Sequence, residues 1–360
     1  VNASSIWILL FSILLIRYVR LDISLILGLM GGIFLLAKSN ASMFLALSLF
    51  APIIELGKNF KLKKIFNYYI LFILSFIIAY LLYNIQRLSP FFHFVSGKNY
   101  TFILKPSEFL ENPFQVFWPN VVNLPLFTFH NLGWATGFLG LYGLILLYKK
   151  NRNLALYIST WILLPYAFMS FFNRVLFSRY HIFILSFLLI LAAYGLSYLY
   201  DKFKNKLLFF ILLVVSFAFT LYFSYTVIFD AKKIPFLETD RGQYIEAWPA
   251  GWGAKEIVEY ARQKSKEKPV LIVGEGDFGM SGDVLDTFLK TGDKIHIKGY
   301  WPLDEQQLLD NKKELDNKIV LVVFSHRSTF PPHWPIKLIK KYEKPGNKSA
   351  MYLFQLVESL

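Results

Sequence analysis

The chain has 360 residues, of which 55% are hydrophobic, 18% aromatic and only 17% charged, and it contains no cysteine. Soluble domains average roughly 25% charged residues, so the shortfall points to a chain built mostly for a bilayer. Without cysteine there are no disulfides, thiolate nucleophiles or cysteine-ligated metals, and the six scattered histidines show no H-x-x-x-H or H-E-x-x-H spacing for zinc.

The net charge of +14 divides unevenly. Residues 1–230 carry 18 Lys and Arg against 6 Asp and Glu, net +12, and residues 231–360 carry 20 against 18, net +2. The basic excess lies in the apolar part, where it sets orientation and attracts anionic membrane lipids. The polar part lacks the basic surface that a nucleic-acid partner requires, so no such partner is expected.

Apolar runs of bilayer-crossing length, about 17–25 residues, recur at 3–19, 22–38, 41–57, 66–84, 133–148, 154–172, 180–199 and 207–229. They predict about eight transmembrane helices, although the two runs around "AKSN" also read as one broken helix. The first run begins at Val1 with no n-region or cleavage site, so it is not a signal peptide. The connections "RYVR" (17–20), "KNFKLKK" (58–64), "KKNR" (149–152) and "KFKNK" (202–206) hold 12 of the 18 basic residues of this part. They are alternate connections, so they fall on one side, which the positive-inside rule makes cytoplasmic. An even number of crossings then puts both chain ends outside, which raises the expectation of a further helix before Val1.

On the opposite side, the connection 85–132 is dense in aromatics and proline, and it reads as an amphipathic loop on the outer leaflet. From residue 231 the pattern changes. "GAKEIVEYARQKSKEK" is an amphipathic helix, and "PVLIV", "KIHIKGY" and "KIVLVVF" are strand-length apolar runs. "DVLDTFLKTG", "LDEQQLLDNKKEL" and "PIKLIKKYEK" read as helices, and "MYLFQLV" as a closing strand. Strands alternating with helices predict an extracytoplasmic α/β domain over 231–360 with a mostly parallel sheet.

Within that domain, "VGEGDFGMSGDV" contains a G-x-G-x-x-G between a strand and a helix, the arrangement of a dinucleotide site. Such a site also needs a carboxylate at the end of the second strand, to hold the ribose. Here that strand ends at Gly299-Tyr300-Trp301, and Asp277 and Asp283 would flank the pyrophosphate with like charge. The domain is also expected outside the cell, where nicotinamide cofactors are scarce. The glycines are therefore read as turn residues, and no cofactor is expected. A divalent metal is left open. The sequons at Asn2, Asn40, Asn99 and Asn347 are read as chance matches.

Several stretches together resemble a family. "LILGLMGGIFLLAKSNASMFLALSLFAPII" (Leu25–Ile54) is similar to a glycine-bearing helix that runs into Leu-Thr-Lys, here Leu36-Ala37-Lys38. "SRYHIFILSFLLILAAYGL" (Ser178–Leu196), "YNIQRLSPFFH" (Tyr83–His93) and the tail from "DRGQYIEAWPAGWGAKEIVEY" extend the likeness along nearly the whole chain. The pattern is that of polytopic glycosyltransferases of the protein mannosyltransferase and aminoarabinose-transferase type. The resemblance implies transfer of a sugar from a polyprenyl-phosphate donor to a protein or lipid-glycan acceptor at the extracytoplasmic face, with inversion. It also implies a catalytic acidic pair in a loop that would precede Val1. Glu108 and Glu111, in "PSEFLENP", read instead as solvated carboxylates of a short helix.

The departing lipid phosphate calls for fixed cations. Lys38, Arg179 and Arg174 are the candidate phosphate ligands, with headgroup anchoring as the ordinary alternative for each. Arg87, His93, His130 and Tyr180 are weaker candidates for contact with sugar or acceptor. Two other readings stay open. One is a transporter or flippase of lipid-linked glycans, against which stand the lack of internal repeats and of mid-membrane charge. The other is a membrane-anchored binding protein whose Trp248, Trp252, Trp301 and Trp334 meet sugar.

Overall fold

A computed structural model describes residues 1–57, 61–90, 92, 101–203, 206–276 and 281–358. The chain divides into two compact units, Val1–Tyr222 and Phe223–Leu360.

The first unit is helical. In order come α1 (Asn2–Tyr18), α2 (Leu21–Ala37), α3 (Ala41–Ser48), α4 (Leu62–Tyr83), α5 (Pro106–Glu111), α6 (Phe117–Leu132), α7 (Trp134–Lys150), α8 (Arg152–Phe172) and α9 (Ile182–Lys202). Helix α10 (Lys206–Phe229) runs on into the second unit. Two parallel pairs are packed through glycine. Ser24 Oγ donates to the Leu71 carbonyl at 2.6 Å, and Gly28 lies against Ser75, so α2 and α4 run side by side in the same direction. Gly140 and Gly143 press on the carbonyls of Leu188 and Leu191, which sets α7 parallel to α9. Small residues allow this close backbone approach where apolar burial alone gives little drive. Around them, Phe44, Tyr68, Tyr157, Trp161 and Phe183 are fully buried. The hydroxyls find partners: Tyr157 with Ser12 at 2.6 Å, and Tyr68 with the Ser48 carbonyl at 2.6 Å.

The expectation of eight crossings is corrected. Among the described residues, four helical stretches are long and apolar enough to cross a membrane: Leu62–Leu88, Arg152–Phe172, Ile182–Lys202 and Lys206–Phe229. A fifth is added if α6 and α7, which meet at 105°, count as one broken span. The 17-residue helices α1 and α2 rise about 25 Å, short of a hydrocarbon core of about 30 Å. Helix α3 has only eight residues before the chain tightens into a 3-10 turn at Ala51–Glu55. An apolar run in sequence counts turn residues that add no helical rise, which is why the runs overestimate the spans.

The second unit carries a sheet in the order β2-β1-β3-β5-β4. Its strands are β1 (Val270–Glu275), β2 (Ile295–Tyr300), β3 (Ile319–Phe324), β4 (Ile336–Glu343) and β5 (Ala350–Leu356). Strand β1 is buried along its whole length, as the continuous apolar run requires. Helices α11 (Ala254–Lys264) and α12 (Ser281–Asp286) cover one face, through Ile257, Val258, Ala261 and Leu285. On the other face Leu303, Leu308, Trp334 and Ile336 join Val273, Val320, Val322 and Phe354; Leu308 belongs to α13 (Glu305–Asp310).

Two details depart from the sequence reading. The sheet is mixed rather than mostly parallel: β1 pairs parallel with β2 and β3, whereas β5 is antiparallel to both β3 and β4. "PIKLIKKYEK" is not a helix but the edge strand β4. A short turn with Gly346 and Asn347 at positive φ returns it into β5, and strands joined so tightly must be antiparallel.

Candidate functional site

Internal contacts of the helical unit sort its ends. At one end the Lys64 ammonium meets Glu55, and the Asn153 amide donates to the carbonyls of Ile54 and Leu56. The starts of α4 and α8 therefore lie together. The parallel pairs bring the start of α2 and the ends of α7 and α9 to the same end, so the described basic residues of the four connections gather there. At the opposite end lie the end of α2, with Lys38, and the end of α8. Phe44, six residues beyond Lys38, packs edge-on against Phe183, four residues beyond Arg179, at 4.9 Å.

That opposite end holds the candidate cations. Lys38 caps α2 in extended backbone, and its side chain is exposed. The 3-10 turn Asn84–Leu88 is tied to it, because the Gln86 amide donates to the Leu36 carbonyl at 3.2 Å. Arg87, in that turn, lies over the Phe92 ring at 5.2 Å. A second group forms where residues 102–104 run against 172–174. The Leu104 N–H donates to Phe172 and the Arg174 N–H to Phe102, both at 2.9 Å, around an antiparallel bridge between Ile103 and Asn173. Arg179 stands over the rings of Phe177 and Tyr180 at 4.6 and 5.4 Å, and Tyr180 meets Phe102 edge-on. Phe102 thus meets both the Arg174 backbone and the Tyr180 ring. His130 lies near the end of α6, its ring edge-on to Phe219 at 5.2 Å. His93 lies outside the described residues, as does Asp277.

Arg174 borders a cavity of about 320 Å³ that is also lined by Leu104, Glu108, Glu111, Asn112, Gln115 and Val116. Glu108 closes the first turn of α5, accepting from the Lys105 N–H at 2.8 Å and pairing with the Arg174 guanidinium. The Arg174 bond first, and then the Lys105 amide, hold its carboxyl below the usual range. Glu111, one helical turn on, lines the same cavity and has no ion-pair partner among the described residues. The short helix was legible in the sequence, but the placement of both carboxylates in a cavity beside Arg174 was not. Its one signal is their spacing of three, which puts them on a common helix face.

Two buried groups were also missed. Asn120, in α6, donates to the carbonyls of Met169 and Asn173 at 3.1 and 2.8 Å, locking α6 onto the end of α8. His181 is fully buried before α9, stacked on Phe127, and neither ring nitrogen has a hydrogen-bond partner among the described residues.

In the second unit, the described glycines of the run sit at tight backbone positions. Gly276 has φ of +102°, and a Cβ on Gly274 would lie 3.5 Å from Gly282 in α12. Strand β2 ends at Tyr300, whose hydroxyl accepts from Asn311. No group of three His, Asp or Glu side chains able to hold a metal ion occurs among the described residues.

No protein-family model matches this chain, and no curated protein is similar to it.

Proposed function

We propose that this chain is part of an integral membrane glycosyltransferase that takes its sugar from a polyprenyl-phosphate donor, at the membrane face opposite the basic connections. By the positive-inside rule that face is extracytoplasmic. The observation that carries the reading is the cavity lined by Glu108, Glu111 and Arg174, at the same end of the helices as Lys38 and Arg179.

In an inverting transfer the acceptor oxygen attacks the anomeric carbon as its bond to the phosphate oxygen breaks. The electron pair leaves with the polyprenyl phosphate, and the acceptor proton passes to a carboxylate. Arg174 and Arg179 are suited to the departing charge, because a guanidinium holds phosphate oxygens bidentately, and Lys38 adds a point charge. Glu108 keeps Arg174 in position until a phosphate competes for it. Glu111, which lines the cavity and is in no ion pair among the described residues, is the carboxylate offered to the acceptor proton. The acceptor is a protein or a lipid-linked glycan, and the lipid tail of the donor lies among the apolar helices.

The test is transfer of labelled sugar from a polyprenyl-phosphate donor by the chain in liposomes, together with binding of polyprenyl phosphate alone. Arg174→Ala and Arg179→Ala each weaken binding about tenfold or more, the size of a lost charge-assisted hydrogen bond. Glu111→Gln abolishes transfer and leaves binding intact. Unchanged binding in both arginine variants contradicts the reading.

A further inference from the structure

The second unit holds a site that the transfer chemistry does not use. In open α/β sheets, ligands bind beyond the carboxyl ends of the strands, where successive connections leave a strand on opposite sides. Here that point falls at β1, which has β2 on one side and β3 on the other, both parallel to it. The residues that follow these three strands converge. Beyond β2 comes Trp301, beyond β3 come Ser325, His326 and Arg327, and β1 ends in Glu275.

These residues form an aromatic face with a polar floor. His326 stands between two tryptophans, its ring centroid 4.7 Å from Trp248 and 5.0 Å from Trp301. Both indoles remain 40% and 52% exposed, although each is large enough to close a core. Trp334 differs: it is buried and stacked on Phe324, so it belongs to the fold. Trp248 is held in place, since its carbonyl accepts from Ser325 Oγ and from the buried Lys344 ammonium, both at 2.8 Å. Beneath, Glu275 is 1% exposed, and one carboxylate oxygen takes the Arg327 Nε at 2.7 Å. Its other oxygen has no hydrogen-bond partner among the described residues, a state that buried polar atoms seldom keep.

The shape decides the class of ligand. Helix α12 lies so close to the end of β1 that a Cβ on Gly282 would come within 3.0 Å of the Gly276 carbonyl. The hole lined by Trp248, Ser281 and Ser325 has a volume of about 10 Å³, room for about one water. What the site offers is a surface: two indole faces with their negative quadrupole, flanked by guanidinium, imidazole and carboxylate. A ligand that fits has a ring with a face of C–H bonds and a rim of hydroxyls.

We infer that the carboxyl ends of β1, β2 and β3 form a carbohydrate-binding platform. Trp248 and Trp301 take the C–H face of a pyranose ring, His326 and Arg327 take its hydroxyls, and the buried Glu275 holds Arg327 in position. The inference is independent of the glycosyl-transfer reading, because every residue in it belongs to the second unit.

The test uses the full chain in phospholipid nanodiscs, so that no sugar-based detergent competes. A panel of neutral oligosaccharides of glucose, mannose, galactose and N-acetylglucosamine is titrated, with saturation-transfer NMR on the sugar C–H protons as readout. At least one saccharide binds saturably. Trp248→Ala and Trp301→Ala each weaken it about tenfold or more, while Trp301→Phe, which keeps an aromatic face, stays within about threefold. Competition by the same saccharide on a polyprenyl phosphate or on a peptide tells which source the platform meets, and competition by either supports it. The inference is overturned if no saccharide in the panel binds. Undiminished binding in a Trp248→Ala/Trp301→Ala variant with the wild-type circular dichroism spectrum also overturns it.

Discussion

Lys344 is a lysine in a place where lysines are rarely found. It is 1% exposed, and its ammonium donates to the carbonyls of Ala247 and Trp248 and to the Ser325 hydroxyl, all neutral groups. Burial draws its pKa down to about 8. An amine that titrates lower when folded than when unfolded, where it sits near about 10.4, binds fewer protons in the folded state. Its burial cost is therefore constant below pH 8, and stability climbs between pH 8 and about 10.4. Denaturant titrations of the wild type and of Lys344→Met, compared at pH 7.5 and 10, should show this climb in the wild type alone. Parallel curves would mean that the ammonium is not desolvated. The sequence hid this residue, because "YEKPGNKS" reads as a charged surface turn. The candidate cations were legible, because phosphate chemistry names its residue types. Which of them meet was not: a pairing such as Glu108 with Arg174 spans 66 positions and is fixed only by how α5 and the end of α8 fold together.

At the scale of elements, glycine decides how the helices pair. A Cβ on Gly143 would sit 1.9 Å from the Leu191 carbonyl, which is backbone and cannot swing away. Gly143→Ala is therefore expected to force α7 from α9, at a cost of about 1–3 kcal/mol, visible as a lowered melting temperature in detergent. A melting temperature equal to wild type would mean that the pair is looser than described. Of these glycines, only those of α2 drew notice in the sequence, as part of the glycine-bearing stretch Leu25–Ile54. The edge strand β4 did not, and its failure is instructive. Ile336, Ile339 and Tyr342 recur at the spacing of a helix, and lysines fill the gaps. In the folded strand the pairing slips between Leu338 and Lys340, where a bulge adds one residue and changes the phase of burial. A helical period in sequence and a bulged strand can thus look alike. The exposed lysines of β4 also keep this sheet edge from pairing with other chains.

For the whole molecule, the account rests on a gathering of charge. The described basic residues of four connections lie at one end of the helical unit, and Lys38, Arg87, Arg174 and Arg179 lie at the other. The concentration of basic residues in four connections was legible in the sequence, whereas their common end follows from the helix pairing. The number of spans was not legible, because apolar composition marks what can be buried and not where the chain turns. The absence of native cysteine makes the arrangement directly measurable. Single cysteines placed at 38, 63, 150 and 179 can be probed in intact cells with a membrane-impermeant maleimide. The account predicts that positions 38 and 179 are labelled from outside, and that 63 and 150 react only after permeabilisation. Labelling of 38 and 179 from opposite faces would contradict it.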